Sequence, residues 1–372
     1  MRVVVASPGA GRTTRGYEVF ALQLTEYLRG AGVDTELLTG GHVDGATRIH
    51  TIERRSRAAA VLAAGGRVEP HSIEQYTFAV AATRMIRRLG PDVVIASESA
   101  LFGIWRRLHR ALGDPTPRFV LTNGGSRRPP FRSVDAVIHH AADLRELAAA
   151  AEPERLHTHL PCPIHVPPWD EVDAMREPRR RSARRAELGI PETAYVVACV
   201  GAIDRAVKGI DRVAEALSRL PASIEGHLLL IGREGPDDAG LVAAIRDRVG
   251  GRLTVIETDP DEVGPTLALA DVHVSASLTE GFGRVFLEAQ AVGVPNLVHD
   301  TERSRTVTGG HATFVDTADP CALATAIADH AARPASVSTR VAWEHARANG
   351  WTTLGPSYVQ ALHEVATSER PR

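Results

Sequence analysis

Apolar residues in this chain come in short unbroken runs separated by stretches where they recur every three or four positions. Val3 to Ala6, Asp34 to Thr39, Asp92 to Ala96, Phe119 to Asn123 and Val134 to Ile138 are runs of the first kind and read as strands buried on both faces. Between them, Tyr17, Phe20, Ala21, Leu24 and Leu28 share one helical face, Ile73 to Leu89 reads as a long helix, and Leu101, Ile104, Trp105, Leu108 and Leu112 form an amphipathic helix. The alternation resumes at Tyr195 to Val200. It continues through a helix carrying Ile210, Val213, Ala214, Leu217 and Leu220, the run HLLLIG, a helix at Leu241 to Val249, LTVIE, a helix from about Asp261, and ADVHV at Ala270 to Val274. Strand and helix in strict alternation predict parallel, doubly wound α/β sheets with ligand-binding loops at the carboxyl ends of the strands.

The alternation breaks once. Prolines at 161, 163, 167, 168 and 178 read as a semi-rigid connector, and the RRRSARR run after them reads as a solvated helix face. A chain of 372 residues suits two domains of about 180 residues each. A composition of 44% hydrophobic and 24% charged residues is that of an ordinary globular protein. The formal net charge of −2 gives no electrostatic case for nucleic-acid binding. Cys162, Cys199 and Cys321 lack paired spacing, which fits a reducing, cytoplasmic compartment. No stretch has the roughly 20 apolar residues of a membrane span, and MRVVVASPGAG reads as a first strand and loop. Arg106, Arg107 and Arg110 make one helix face basic, and a solvated face is the expectation there.

Candidate chemistry concentrates at Ser275 to Pro295. After the ADVHV strand, Gly281 and Gly283 flank Phe282 where a helix begins, so unpaired backbone N–H groups can face an anion. Glu280 precedes the glycines. Glu288 lies inside the helix among apolar neighbours, where it needs donors; Arg284, one turn earlier, is the plain structural partner. A second signal is Lys208, at the start of the helix after YVVACV. It is the only lysine among 43 basic residues. A chain that otherwise uses arginine everywhere argues for a compact ammonium here, in the point-charge style of phosphate binding.

At these residues the chain resembles a known family. EGFGRVFLE, from Glu280 to Glu288, matches the Glu-x7-Glu motif of the retaining GT-B glycosyltransferases that use nucleotide sugars, and AIDRAVKGID matches their phosphate-binding loop. HATFVDTADPCALATAI resembles the family's late loop and helix, and LPCPIHVPP its interdomain segment. The resemblance implies a GT-B fold, with two Rossmann-like doubly wound domains facing a central cleft. Residues 1–165 would bind the acceptor, 166–185 link the domains, 186–350 bind the nucleotide sugar, and 351–372 form a helix crossing back to the first domain.

By the same resemblance Lys208 and Arg205 neutralise the donor diphosphate, joined by the N–H groups of Gly281, Phe282 and Gly283 and by Gly16 from the first half. Glu280 lies beside the donor sugar and Glu288 takes ribose hydroxyls, while Gly232, Arg233, Glu257 and Thr258 meet the base. Asn123, where many relatives carry a histidine, Gly124 and His139 are the acceptor-side candidates. His157, His159 and Cys162 lack the spacing of a zinc site, and no convincing Asp-x-Asp pair offers Mg²⁺ ligands, so neither metal nor cofactor is expected. The expected activity is retaining transfer from a nucleoside-diphosphate sugar to a small polar acceptor, as in bacterial specialised metabolism. The alternatives are a GT-B lipid or glycan transferase of cell-envelope synthesis and a degenerate sugar-nucleotide-binding protein.

Overall fold

The structure, a computed structural model, describes residues 1–53, 56–64, 69–125, 127–235, 238–333 and 338–368. Ser126, in the loop after the Phe119 strand, and residues 369–372 of the expected C-terminal segment lie outside these. The chain divides into two compact units. The first comprises residues 1–162 together with 354 onward, the second residues 163–353.

The first unit contains β1 (Arg2–Ser7), α1 (Gly16–Gly30), β2 (Asp34–Thr39), β3 (Thr47–Arg48), α2 (Arg57–Ala63), α3 (Pro70–Leu89), β4 (Val93–Ala96), α4 (Ser99–Leu112), β5 (Arg118–Asn123), β6 (Ala136–His139), α5 (Ala142–Ala151) and β7 (Leu156–His159). Its strands form one parallel sheet in the order β3-β2-β1-β4-β5-β6-β7. The order reverses between β1 and β4. Trp105 of α4 stacks on Phe119 of β5 with ring centroids 6.0 Å apart, and its indole N–H donates to the Ala79 carbonyl of α3 at 3.0 Å. That bond satisfies the one polar group of a fully buried ring. Arg106 is not part of a solvated basic face: it donates to the Ser133 carbonyl at 2.9 Å and pairs with Asp135 at 2.9 Å, while Arg107 and Arg110 remain exposed.

The second unit runs through α6 (Trp169–Met175), α7 (Pro178–Glu187), β8 (Tyr195–Val200), α8 (Ile210–Ser218), β9 (Gly226–Ile231), α9 (Leu241–Arg248), β10 (Leu253–Ile256), α10 (Pro260–Leu267), β11 (Val272–Ser275), α11 (Arg284–Ala291), β12 (Asn296–His299), α12 (Glu302–Val307), β13 (Thr313–Val315), α13 (Pro320–Ala331) and α14 (Ser338–Ala348). The sheet is again parallel, in the order β10-β9-β8-β11-β12-β13. Alternate residues of β8 feed opposite cores. Val197 and Cys199 pack with Val213 and Leu217 of α8, whereas Val196 and Ala198 pack with Leu267 of α10 and Ala289 of α11. Burial on both faces is why these strands read as continuous apolar runs. A last helix, α15 (Trp351–Thr367), starts in the second unit and groups with the first from Leu354 onward.

The stretch expected to be a connector holds α6 and α7, and RRRSARR is solvated on one side only: Arg179, Arg180 and Arg184 are exposed, whereas Arg181 and Arg185 are drawn inward. Arg181 and Arg185 both reach Asp271, at 2.6 and 2.8 Å, and both donate to the Leu269 carbonyl. Burial alone would raise the Asp271 carboxyl, but the two guanidinium groups hold it below its ordinary value. A carboxylate at the amino end of β11 thus recruits one face of α7.

Candidate active site

In the second unit the strand order reverses between β8 and β11, the topological switch point where open α/β sheets bind their ligands. The loops leaving the carboxyl ends of these two neighbouring strands are residues 201–209 and 276–283, the stretches singled out by their lysine and glutamates. Each leads into a helix whose N-cap is a left-handed glycine, Gly209 at φ 59° before α8 and Gly283 at φ 90° before α11. Neither cap has a side chain to offer its helix; Ile210 N–H turns to the Asp204 carbonyl at 3.4 Å and the Arg212 and Phe286 N–H groups turn back to the Gly209 and Gly283 carbonyls at 3.0 Å, so part of each first turn is left to face an anion. A Cβ at Gly283 would sit 2.6 Å from the Phe286 ring, so the position is closed to other residues on steric as well as conformational grounds. Phe282 is buried beside it.

Lys208 and Glu280 meet across this point. The ammonium donates to Glu280 Oε1 at 2.6 Å, with side chains 21% and 16% exposed. Asp204 builds the lysine loop, its Oδ1 accepting the N–H groups of Val207 at 2.7 Å and Lys208 at 2.8 Å. The lysine stem runs over Gly201, where a Cβ would lie 3.1 Å from Lys208 Cε. Beneath the pair, burial drives the Cys199 thiol up to about 12 against the pull of Lys208. It drives His273 down to about 4, with the Asn296 hydrogen bond opposing.

The remaining donor-side candidates are dispersed around this centre. Arg205 is exposed on the lysine loop, and its guanidinium has no ion pair among the described residues. Glu288 receives Arg284 at 3.1 Å, so the plain pairing one turn apart is present, and Arg284 continues to the Pro163 carbonyl at 3.1 Å. Gly232, at the end of β9, has φ 156°, and a Cβ there would overlap the Gly201 carbonyl oxygen. Arg233 pairs with Glu257, both exposed, and Thr258 follows at the end of β10. Glu234 accepts the Val242 N–H at 2.8 Å and so belongs to the start of α9.

In the first unit, Gly16 opens α1 and is exposed. Asn123 is buried: its amide donates to the Arg127 carbonyl at 2.9 Å and approaches His139 Nδ1 at 3.2 Å. His139 is fully buried, with Nε2 shared with His157 Nδ1 at 3.0 Å. Burial, and then the facing His157, push it down to about 4; its two ring nitrogens are engaged by Asn123 and His157 within this unit. Gly124 has no room for a side chain, because a Cβ would lie 2.8 Å from the His140 ring.

Two groups escaped the sequence reading. Arg303, at the start of α12, donates to the carbonyls of Glu280 at 3.2 Å and Gly281 at 2.8 Å, fixing the glycine loop from behind. Nothing in TERSR sets that arginine apart from a solvated one. Glu98, just past β4 at the switch point of the first unit, is pushed up to about 7 by burial and then by Glu18. An acidic residue two positions past an apolar run was its only signal. Among the described residues no cluster of three or more His, Cys, Asp or Glu could hold a metal ion, and no helix is long and apolar enough to cross a membrane.

The chain is similar in sequence and in fold to known proteins. Residues 194–332, which include both site loops, match the family "Glycosyl transferases group 1". A D-inositol 3-phosphate glycosyltransferase of Mycobacterium avium is 31% identical over 289 residues, covering 68% of this chain and 63% of that protein. The chain therefore spans less than two thirds of the length of this relative. Among solved structures, sucrose-phosphate synthase from Thermosynechococcus elongatus superposes with a TM-score of 0.76 at 18% identity, covering 98% of both chains. Anabaena Alr3699/HepE, in complex with UDP and glucose, gives 0.74 at 14% identity over 98% of this chain and 100% of the other. Residues 194–332 thus belong to the glycosyl transferases group 1 family, and the chain, with its two parallel Rossmann-like sheets, has the GT-B fold.

Proposed function

We propose that this protein is a cytoplasmic retaining glycosyltransferase that moves a sugar from a nucleoside-diphosphate sugar to a small polar acceptor, without a metal ion, in bacterial specialised metabolism. The observation that carries the reading is the meeting of Lys208 and Glu280 at 2.6 Å between two glycine-capped helix N-termini at the switch point. Departure of a nucleoside diphosphate needs positive charge and N–H donors aimed at the leaving oxygens. Lys208, Arg205 and the N–H groups of Gly281, Phe282 and Gly283, just before α11, supply both, each charge-assisted contact contributing about 1.5–3 kcal/mol. Glu280 accepts hydroxyls of the sugar, and Glu288 keeps Oε2 for the ribose while Oε1 stays on Arg284. The base lies against Gly232, Arg233, Glu257 and Thr258. Asn123 and Gly124 border the acceptor.

The similar proteins support the donor class. The Anabaena structures hold UDP or UDP-glucose, and the neighbouring Escherichia coli protein holds UDP-2-fluoro glucose. The mycobacterial relative is named for a small polar acceptor, an inositol phosphate. The test is turnover of a panel of UDP-, GDP- and ADP-sugars in excess EDTA, with the anomeric configuration of the product read by NMR. The expected outcome is nucleoside diphosphate release with retention and no stimulation by Mg²⁺ or Mn²⁺. Loss of turnover in EDTA that either metal restores overturns the metal-free mechanism. Binding without release of diphosphate leaves the chain a sugar-nucleotide-binding protein.

A further inference from the structure

Lys208 and Glu280 are each fixed by their backbones and have only one another as side-chain partner among the described residues. Asp204 pins the lysine loop, and Arg303 pins the carbonyls of Glu280 and Gly281. Both side chains are largely withdrawn from water, so each needs its counter-charge. A diphosphate taking up Lys208 arrives beside a carboxylate that cannot withdraw. When the sugar is still attached, its hydroxyls can donate to Glu280 and replace the ammonium it shares. When the sugar has been transferred, the carboxylate faces a dianionic leaving group with no donor in between.

We infer that Glu280 is a product-release residue: by reclaiming Lys208 after transfer it weakens binding of the free nucleoside diphosphate while leaving binding of the intact nucleotide sugar unpenalised. This rests on the donor site proposed above. It goes beyond it in assigning Glu280 a role opposed in sign to that of an ordinary binding residue. Removing a ligand contact weakens binding. Removing this carboxylate strengthens the binding of one ligand and not the other.

The experiment is isothermal titration of the full chain with UDP, GDP and ADP, and with the corresponding glucose diphosphates, for the parent, Glu280→Gln and Glu280→Ala. Thermal melting of each variant serves as the check on folding. For whichever nucleotide the parent binds, both variants are expected to hold the nucleoside diphosphate about tenfold more tightly, equal to about 1.4 kcal/mol. The glucose derivative should bind no more tightly than to the parent. Steady-state turnover should fall, with product inhibition rising in step. Unchanged or weaker nucleoside diphosphate binding in the folded variants overturns the inference and leaves the donor site standing. Equal tightening of both ligands also overturns it, because that is plain relief of charge repulsion. A parent that binds none of the six ligands removes the proposed function, and the inference with it.

Discussion

Lys208 is the only lysine beside 42 arginines, and that scarcity made its loop visible from sequence; histidines in the same chain misled in the opposite direction. His139 follows a strand at a carboxyl edge, as site residues do, yet it is fully buried against Phe131 and His157. Spacing marks where a residue lies along a strand but says little about what closes over it. The buried histidines have a consequence for stability. His139 and His273 are each driven to about 4 from an ordinary 6.5, chiefly by burial, so the unfolded chain takes up their protons first as pH falls. Between pH 6.5 and 4 the unfolded state binds more protons, and the stability present above 6.5 is lost on acidification. At pH 5 the loss should be about 2 kcal/mol for each. Urea midpoints of the parent and of His273→Gln, measured at pH 7.5 and 5, test this. The variant is expected to lose about 2 kcal/mol less across the interval, and parallel pH profiles would rule the account out.

Elements were legible where burial sets the sequence pattern. The strands β2, Asp34–Thr39, and β8, Tyr195–Val200, carry the expected bounds. α6 was hidden because the prolines before it read as connector, whereas Pro168 is its N-cap; α7 was expected as a helix at RRRSARR, and Pro178 stands in its first turn, where proline suits a helix. β3, two residues long, has too little pattern to detect. α15 offers a test of which local rule governs. In an exposed helix interior, Gly→Ala gains about 1 kcal/mol of helix propensity. Gly355 instead lies against Tyr27 of α1, where a Cβ would overlap three atoms of the phenol ring. Overpacking of about 1–3 kcal/mol should outweigh the propensity gain. Gly355→Ala is thus expected to be destabilised by up to about 2 kcal/mol, read from its urea midpoint against the parent. A stabilised variant would show that Tyr27 moves aside freely.

At the scale of the whole molecule periodicity showed two sheets, whereas the return of residues 351–372 to the first domain was an expectation from family resemblance alone, since membership of a unit depends on contacts between segments distant in the chain. Tyr358 shows the difficulty. It is buried in the first unit, with its hydroxyl donating to the Pro161 carbonyl at 3.0 Å and its ring 5.8 Å from Phe20. Its neighbours in sequence give no sign of either. The tryptophans divide usefully between the units: Trp105 lies in the first, and Trp169, Trp343 and Trp351 lie in the second. In Trp105→Phe the tryptophan fluorescence therefore reports the unit that carries Lys208, Glu280 and Glu288. If the donor site is in that unit, a nucleoside diphosphate at 100 times its Kd should stabilise it by about 2.7 kcal/mol through mass action. For about 190 residues this corresponds to a rise of roughly 5–10 °C in the fluorescence-detected Tm. The same ligand should shift the Lys208→Met, Trp105→Phe double variant far less, because the ammonium contact is gone. An equal shift in both variants would mean that the nucleotide binds elsewhere, since a site at the β8–β11 switch point cannot lose its only ammonium without losing affinity.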